Sequence, residues 1–104
     1  MKESELQRAV IECAHRFQWI VAHFRTAPTQ SGRWATPVQG DGAGFPDLIL
    51  VRGPRLIVAE LKAKGKKPTP AQWKWLRAFE GVAEGVYVWN PDDWGSGKIA
   101  ELLR

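Results

Sequence analysis

Cysteine is nearly absent from this 104-residue chain, which contains Cys13 alone. A single cysteine excludes an intrachain disulfide and a cysteine zinc cluster, and it favours a reducing compartment, so a cytoplasmic location is expected. The two histidines, His15 and His23, have no partners at metal-ligand spacing and are interpreted as a surface residue and a strand residue. Long hydrophobic runs are also missing: the apolar run at 48–51 is far too short to cross a bilayer, and no secretory hydrophobic region is present.

The composition that remains is typical of one folded domain covering residues 1–104. Hydrophobic residues make up 44% and charged residues 25% of the chain, and its length suffices to bury one core. The formal charge of +4 permits a polyanionic partner, because clustered lysine and arginine displace counterions from a phosphate backbone. Charge alone is weak evidence for nucleic-acid binding, since many small basic proteins bind none.

The N-terminal segment has the pattern of an amphipathic helix. Ser4 and Gln7 form a predicted capping box, so we expect the helix to begin at Ser4 and to end near Phe17. Its predicted buried stripe contains Leu6, Val10, Cys13 and Phe17. Glu5 then borders the core, either as a functional acid or as a first-turn acid favoured by the helix dipole.

A predicted strand at 19–25 is followed by an unusually long segment at 26–44 that is rich in Gly, Pro, Thr and Ser. Long loops in small domains are often functional or disordered. Arg33 and Trp34 suit phosphate and base-stacking contacts, so the segment is interpreted either as a nucleic-acid contact or as a disordered flap.

Two apolar runs, at 47–52 and 56–62, flank Gly53-Pro54 and predict a β-hairpin. A loop symmetric about this dipeptide places Asp47 opposite Glu60 on one face, where like charges repel. Because side chains alternate along a strand, Lys62 shares that face whereas Leu61 points away and leaves its carbonyl near the carboxylates. A three-residue loop would instead turn Asp47 to the other face.

Two carboxylates held together need a raised pKa, a cationic partner or a divalent cation. Mg²⁺ is typically bound by one or two carboxylates, with water and substrate phosphate completing its shell. We therefore expect a metal site formed by Asp47, Glu60 and the backbone carbonyl of Leu61, with Lys62 placed to orient the attacking water. The alternative is that the two acids are ordinary strand-end residues and that Lys62 neutralises one of them.

The chain becomes basic after the hairpin and then enters a second predicted helix. Thr69 is the expected cap, with Pro70 in the first position and Gln72 completing a capping box. The predicted buried stripe contains Ala71, Trp75, Ala78, Phe79 and Val82. Trp73 falls on the opposite side and should be exposed. Residues 86–89 predict a strand, 90–92 a turn and 98–103 a closing helix.

Three short motifs resemble a known family. Gly44-Phe45-Pro46-Asp47, Glu60-Leu61-Lys62 and Gln72 followed by Trp75-Leu76 resemble the VRR-NUC branch of the PD-(D/E)xK nucleases, over nearly the whole chain. The resemblance implies an α/β fold with a restriction-endonuclease-like core, in which helices flank a central mixed β-sheet. It also implies phosphodiester hydrolysis dependent on Mg²⁺ or Mn²⁺. Stand-alone phage-type members are similar to homodimeric nucleases of branched DNA, including Holliday junctions.

The resemblance also implies a role for each matching residue. Asp47 and Glu60 would bind the metal, and Lys62 would position the attacking water. Gln72 would support the site from its helix, and Glu5 would contact the metal through water. No residue of the segment at 26–44 matches the family pattern.

Two functions follow. The first is a metal-dependent DNA endonuclease, located in the host cytoplasm if a phage encodes it, in which Lys64, Lys66 and Lys67 hold adjacent phosphates. The alternative interpretation is that these lysines belong to a solvated basic loop and bind nothing. The second function is a nucleic-acid-binding module that keeps the fold and cuts nothing.

Overall fold

A four-stranded mixed β-sheet with helices packed against it organises the chain, giving a compact α/β fold. The computed structural model describes residues 1–24, 27–28, 34–35 and 38–104. The helices are α1 (Glu3–Arg16), α2 (Pro70–Phe79), α3 (Pro91–Gly95) and α4 (Lys98–Leu103). The strands are β1 (Ile20–His23), β2 (Ala27–Pro28), β3 (Trp34–Ala35), β4 (Leu48–Arg52), β5 (Arg55–Leu61) and β6 (Gly85–Trp89).

The strands of the main sheet lie in the order β1-β4-β5-β6. Strand β4 pairs antiparallel with both β1 and β5, and β5 pairs with β6 in parallel. A parallel pair needs a crossover connection, and α2 supplies it between β5 and β6. Strands β2 and β3 form a separate two-stranded ribbon. In the main sheet, β5 lies between β4 and β6, which explains why its last five residues, 57–61, are buried.

The hairpin has the predicted register. Arg52 pairs with Arg55 across Gly53-Pro54, and Leu48 pairs with Ala59. Gly53 has φ +59°, as the first position of a tight two-residue turn requires. Both strands differ from the expectation by one residue, because β4 begins at Leu48 and β5 spans Arg55–Leu61. The next opposed pair beyond Leu48 and Ala59 is therefore Asp47 and Glu60.

The cap of helix α1 lies two residues earlier than predicted. The cap is Lys2, whose N–H donates to Glu5 Oε1 at 2.8 Å, so the predicted Ser4 cap is wrong. The predicted apolar stripe is nevertheless correct: Leu6, Val10 and Cys13 are buried, and Phe17 just beyond the helix is half-buried. These side chains join the main core, which lies between α1, α4 and one face of the sheet.

The second half of the chain confirms some predictions and corrects others. Helix α2 begins after Thr69 with the predicted capping box, and α4 covers the predicted closing helix. The stripe predicted for α2 is correct in part: Trp75 and Phe79 are half-buried, whereas Ala71, Ala78 and Val82 are exposed. The fully buried residue of the helix is Leu76. The predicted turn at 90–92 is instead the start of α3, whose first backbone N–H groups are capped by Asn90.

Among the described residues, no helix is long and apolar enough to cross a membrane.

Arg52 ties the hairpin to the ends of two helices. Its Nη1 donates to the carbonyl of Phe17 at 3.0 Å and to that of Leu103 at 3.1 Å. Its guanidinium carbon lies 4.6 Å from the centroid of the Trp19 ring, and Trp19 Nε1 also donates to Leu103 O at 2.8 Å. These contacts satisfy carbonyls that have no partner within their own helices.

We expect Arg52→Met to lower the free energy of unfolding by about 2 kcal/mol, because it removes charge-assisted hydrogen bonds and leaves half-buried carbonyls without a donor. Urea unfolding followed by circular dichroism measures the change. Arg104→Met is the control, since the Arg104 side chain is exposed and pairs with Glu101 on the surface, where the cost should stay within about 0.5 kcal/mol. Equal losses in the two variants would contradict the bracing role of Arg52.

Candidate active site

A polar cleft of about 340 Å³ lies where the open end of the hairpin meets the first turns of α1 and α2. Asp47, Glu60 and Lys62 line it from the sheet, Glu3 from α1, and Thr69, Ala71 and Gln72 from the start of α2. Phe24, Gly44 and Phe45 complete its wall. The cleft therefore contains four of the five residues that the sequence predicted to be catalytic: Asp47, Glu60, Lys62 and Gln72.

The two carboxylates meet as the register predicts. Asp47 N donates to Glu60 Oε1 at 3.2 Å, and Leu61 N donates to Asp47 Oδ2 at 2.8 Å. Phe24 N donates to Asp47 O at 2.9 Å, which ties the residue before β4 to the chain after β1. Glu60 is only 1% exposed. The backbone N–H of Leu61 thus contacts one of the two carboxylates. The use of the Leu61 carbonyl as a metal ligand stays a prediction.

Lys62 is the cationic neighbour of this pair. Its Nζ lies 3.4 Å from Glu60 Oε2, and its side chain is 15% exposed. The backbone N–H of Lys62 donates to Trp89 O at 2.9 Å, which fixes the residue beside the end of β6. The amine therefore points into the cleft with little freedom and can donate to an oxygen bound there.

Burial raises the pKa of both acids, and like charge adds to the rise for Glu60. Burial, followed by the charge of Asp47, raises the pKa of Glu60 to about 8, against the opposing effect of Lys62. Burial also raises the pKa of Asp47, although the Leu61 N–H, the Glu60 side chain and Lys62 act in the opposite direction. In the absence of a further cation, burial beside Asp47 therefore favours the protonated form of Glu60, whereas Lys62 favours its charged form.

The acid that α1 contributes to the cleft is Glu3, whereas the sequence predicted Glu5. Burial raises the pKa of Glu3, and the charge of Asp47 adds to the rise. Glu5 is exposed, and its carboxylate accepts from Lys2 N in the helix cap. Residues two apart lie on different sides of a helix. The predicted cap, Ser4, lies two residues after the observed cap, Lys2, so Glu3 lay outside the predicted helix and Glu5 was its first acid. Glu3 is the site residue that sequence reasoning missed.

Gln72 lines the cleft, and the cap of α2 orients its side chain. Gln72 Oε1 accepts from Thr69 N at 2.8 Å, while Gln72 N donates to Thr69 Oγ1 at 3.3 Å. This reciprocal box engages the amide oxygen, so the amide nitrogen is the group left to face a ligand.

An aromatic cluster fixes α2 against the segment that leads to Asp47. The Phe45 ring centroid lies 5.0 Å from that of Phe24 and 4.9 Å from that of Trp75, both in edge-to-face geometry. Trp75 Nε1 also donates to Asp41 O at 2.9 Å. Gly44 lies so close to α2 that an added Cβ would be 2.5 Å from Ala71 C and 2.7 Å from Gln72 N. These contacts explain structurally why Gly44 precedes the acid.

The three lysines predicted to hold phosphates, Lys64, Lys66 and Lys67, do not line the cleft. Lys64 is exposed and pairs with exposed Asp92 at 3.5 Å. Lys66 and Lys67 are exposed between β5 and α2, next to the rim of the cleft. Trp34 belongs to β3, and Arg33 lies outside the described residues, so the contacts predicted for both stay predictions.

The donor chemistry of the cleft fits a hard divalent cation. Asp47 and Glu60 provide adjacent carboxylate oxygens, the ligand type that Mg²⁺ and Mn²⁺ prefer, and one or two carboxylates suffice for a cation that keeps several waters. Over the ranges that the structure describes, no group of three or more His, Cys, Asp or Glu side chains could hold a metal ion. The cleft thus fits a cation that shares its shell with substrate oxygens better than it fits a fully protein-bound structural metal.

Comparisons of this chain with family models, with curated proteins and with solved structures found no match. Function is therefore inferred from the chemistry of the cleft together with the motif resemblance.

Gly44→Ala should destabilise the protein more than an alanine at another glycine with positive φ. Gly44 (φ +78°) would collide with the backbone of α2, whereas Gly40 (φ +71°) has nothing within 4 Å of an added Cβ. We expect Gly40→Ala to cost about 1 kcal/mol from its backbone conformation alone, and Gly44→Ala to cost about 2 kcal/mol more. Urea unfolding of the two variants gives the difference. Equal costs would show that the close approach to α2 is unimportant.

Stability should fall with rising pH because of Glu60. The folded protein holds this proton up to a pKa of about 8, whereas an ordinary Glu releases it at 4.5, so folding takes up a proton between these values and the free energy of unfolding decreases as pH rises through them. Glu60→Gln removes the buried charge. In EDTA we expect it to raise the melting temperature by about 5 °C at alkaline pH and to change it little at acidic pH.

The control for this measurement is Glu101→Gln, which removes an exposed carboxylate on α4. It should leave the pH dependence of the melting temperature as it is in the unmodified protein. If Glu60→Gln kept that same pH dependence as well, the buried proton would have to belong to another group.

Proposed function

We propose that this chain is a Mg²⁺- or Mn²⁺-dependent endodeoxyribonuclease of the VRR-NUC type, with a restriction-endonuclease-like core. The observation that carries the proposal is the meeting of Asp47, Glu60 and Lys62 in one polar cleft, with the two acids in direct register. The alternative of ordinary strand-end residues does not account for a glutamate that is 1% exposed in an internal strand. Buried groups with perturbed pKa values are typical of functional sites.

Each residue has a role in such a reaction. Asp47 and Glu60 would hold the cation, and Glu3 adds negative charge at the same end of the cleft. The cation would supply Lewis-acid activation and neutralise phosphate charge. Lys62 would donate to the attacking water and offset the charge that develops on the phosphorus oxygens. Water attacks phosphorus in line and gives up a proton to solvent, while the bond to the 3′ oxygen breaks and that oxygen takes up a proton from solvent. The products are a 3′ hydroxyl and a 5′ phosphate, as the resemblance implies.

Supporting residues keep this arrangement in place. The capping box of α2 holds the Gln72 amide at the cleft, and the aromatic cluster holds α2 against the segment before Asp47. Preorganised donors of this kind are effective because they need no rearrangement as charge develops in the transition state. The preference for branched DNA, including Holliday junctions, and the homodimer are proposed from the resemblance.

Lys62→Ala should lower the rate of cleavage by about 10²- to 10⁴-fold while DNA affinity stays within a few fold, because the amine acts on the reaction step. Asp47→Asn should have a similar effect. The measurement uses labelled four-way junction, linear duplex and single strand, each with Mg²⁺, with Mn²⁺ and with EDTA. Lys98→Ala is the matched control, because Lys98 is an exposed lysine on α4.

Three outcomes would overturn the proposal. One is cutting that persists in EDTA, and another is cutting by Lys62→Ala at the rate of the unmodified protein. The third is binding of DNA without cleavage of any substrate, which would assign the fold to a non-catalytic nucleic-acid-binding module.

A further inference from the structure

The outer face of α2 presents an exposed tryptophan between basic residues. Pro70, Trp73, Lys74 and Arg77 line one shallow groove there, and their spacing places them on one side of the helix. Trp73 is 38% exposed, and within residues 1–24 and 38–104 it is the one aromatic among the exposed large hydrophobic side chains. The guanidinium carbon of Arg77 lies 5.9 Å from the centroid of the Trp73 ring. We call these four residues the α2 outer face.

The charge of this face is not neutralised by the protein. Within residues 1–24 and 38–104, neither Lys74 nor Arg77 takes part in an ion pair. Lys66 and Lys67, exposed just before α2, add two further cations on the approach to the helix. The acid nearest in sequence, Glu80, follows α2 on the same side as Trp73 and Arg77, but within the described residues it forms no ion pair with Arg77. Uncompensated positive charge around an exposed ring is complementary to a polyanion with aromatic bases.

The α2 outer face begins at the rim of the cleft. Gln72 lines the cleft, and Trp73 is the next residue, about 100° further around the helix axis. From Pro70 to Arg77 the face extends roughly 10 Å along the axis. A strand whose phosphate lies in the cleft therefore meets this face as it leaves.

We propose that the α2 outer face binds an unpaired nucleic-acid strand, with Trp73 stacked on a base and with Lys74 and Arg77 on the neighbouring phosphates. An unpaired strand exposes the faces of its bases to the ring, whereas a duplex hides them within its stack. A protein partner fits less well, since lysine is depleted in protein interfaces and both cations here lack an acidic partner. The inference rests on the proposed function, because it names the part of the substrate that the same site would hold.

Binding measured without cleavage tests this inference. The probes are a labelled oligothymidylate and a labelled mixed-sequence duplex, each of about 20 nucleotides or base pairs, in EDTA and over a series of salt concentrations, with fluorescence anisotropy as the readout. We expect Trp73→Ala to weaken binding of the single strand by about 5- to 100-fold and to weaken duplex binding much less. Trp73→Phe should retain most of the affinity, because phenylalanine keeps a ring for stacking.

The double variant Lys74→Ala/Arg77→Ala should weaken binding and reduce the salt slope for the single strand by about 1.4, the value expected for two lost phosphate contacts. Lys98→Ala/Arg104→Ala is the matched control, because it also removes one exposed lysine and one exposed arginine, both on α4. Its salt slope should equal that of the unmodified protein. Circular dichroism melting of every variant separates lost contacts from lost folding.

The inference is overturned if the unmodified protein does not bind the single strand, or if Trp73→Ala binds it as the unmodified protein does. The inference is also overturned if Trp73→Ala loses equal affinity for single strand and duplex, or if the two double variants lose equal affinity for the single strand. Either result would attribute binding to the general positive charge of the protein. A dimer that dissociates on Trp73→Ala with DNA affinity unchanged would assign the face to a second copy of the chain. If Trp73→Ala binds the single strand normally and still cleaves DNA, this inference alone is refuted. If Trp73→Ala binds the single strand more weakly but the unmodified protein cleaves no substrate, the proposed nuclease alone is refuted.

Discussion

The enforced contact between Asp47 and Glu60 is the constraint on which the rest of the cleft depends. Antiparallel pairing of β4 and β5 puts the two carboxylates on the same face of the sheet, where Glu60 is 1% exposed. Burying like charges together is costly, and apolar residues in the same positions would pack with less penalty. The cleft accommodates them with the Leu61 N–H, with Lys62 and with a raised pKa of Glu60, which favours a proton on that carboxyl. A divalent cation would replace that proton with a stronger source of positive charge.

Two sets of contacts brace the hairpin that carries this pair. At the turn end, Arg52 donates to the terminal carbonyls of two helical segments and lies over Trp19. At the open end, the cluster around Phe45 and the close approach of Gly44 hold α2 against the strand. A site made of adjacent charges needs such support, because relaxed side chains would separate and become solvated. The aromatic residues thus contribute to the proposed chemistry by positioning.

Local patterns explain which parts of the fold could be predicted. The hairpin register follows from Gly53-Pro54 and strand alternation, and the start of α2 follows from Thr69, Pro70 and Gln72, all features within a few residues. Predictions that needed exact helix boundaries were less successful. The cap of α1 lies two residues before the predicted one, and α3 was mistaken for a turn, because several polar residues near each boundary could serve as the cap.

The sequence by itself determined the opposition of Asp47 and Glu60, the side on which Lys62 lies and the exposure of Trp73, since each depends on the period of one local element. The tertiary structure decided that Glu3 rather than Glu5 joins the cleft, and that Phe45, Trp75 and Gly44 fix its wall. These contacts join segments far apart in the chain. Their partners depend on how whole elements pack, which no local period encodes.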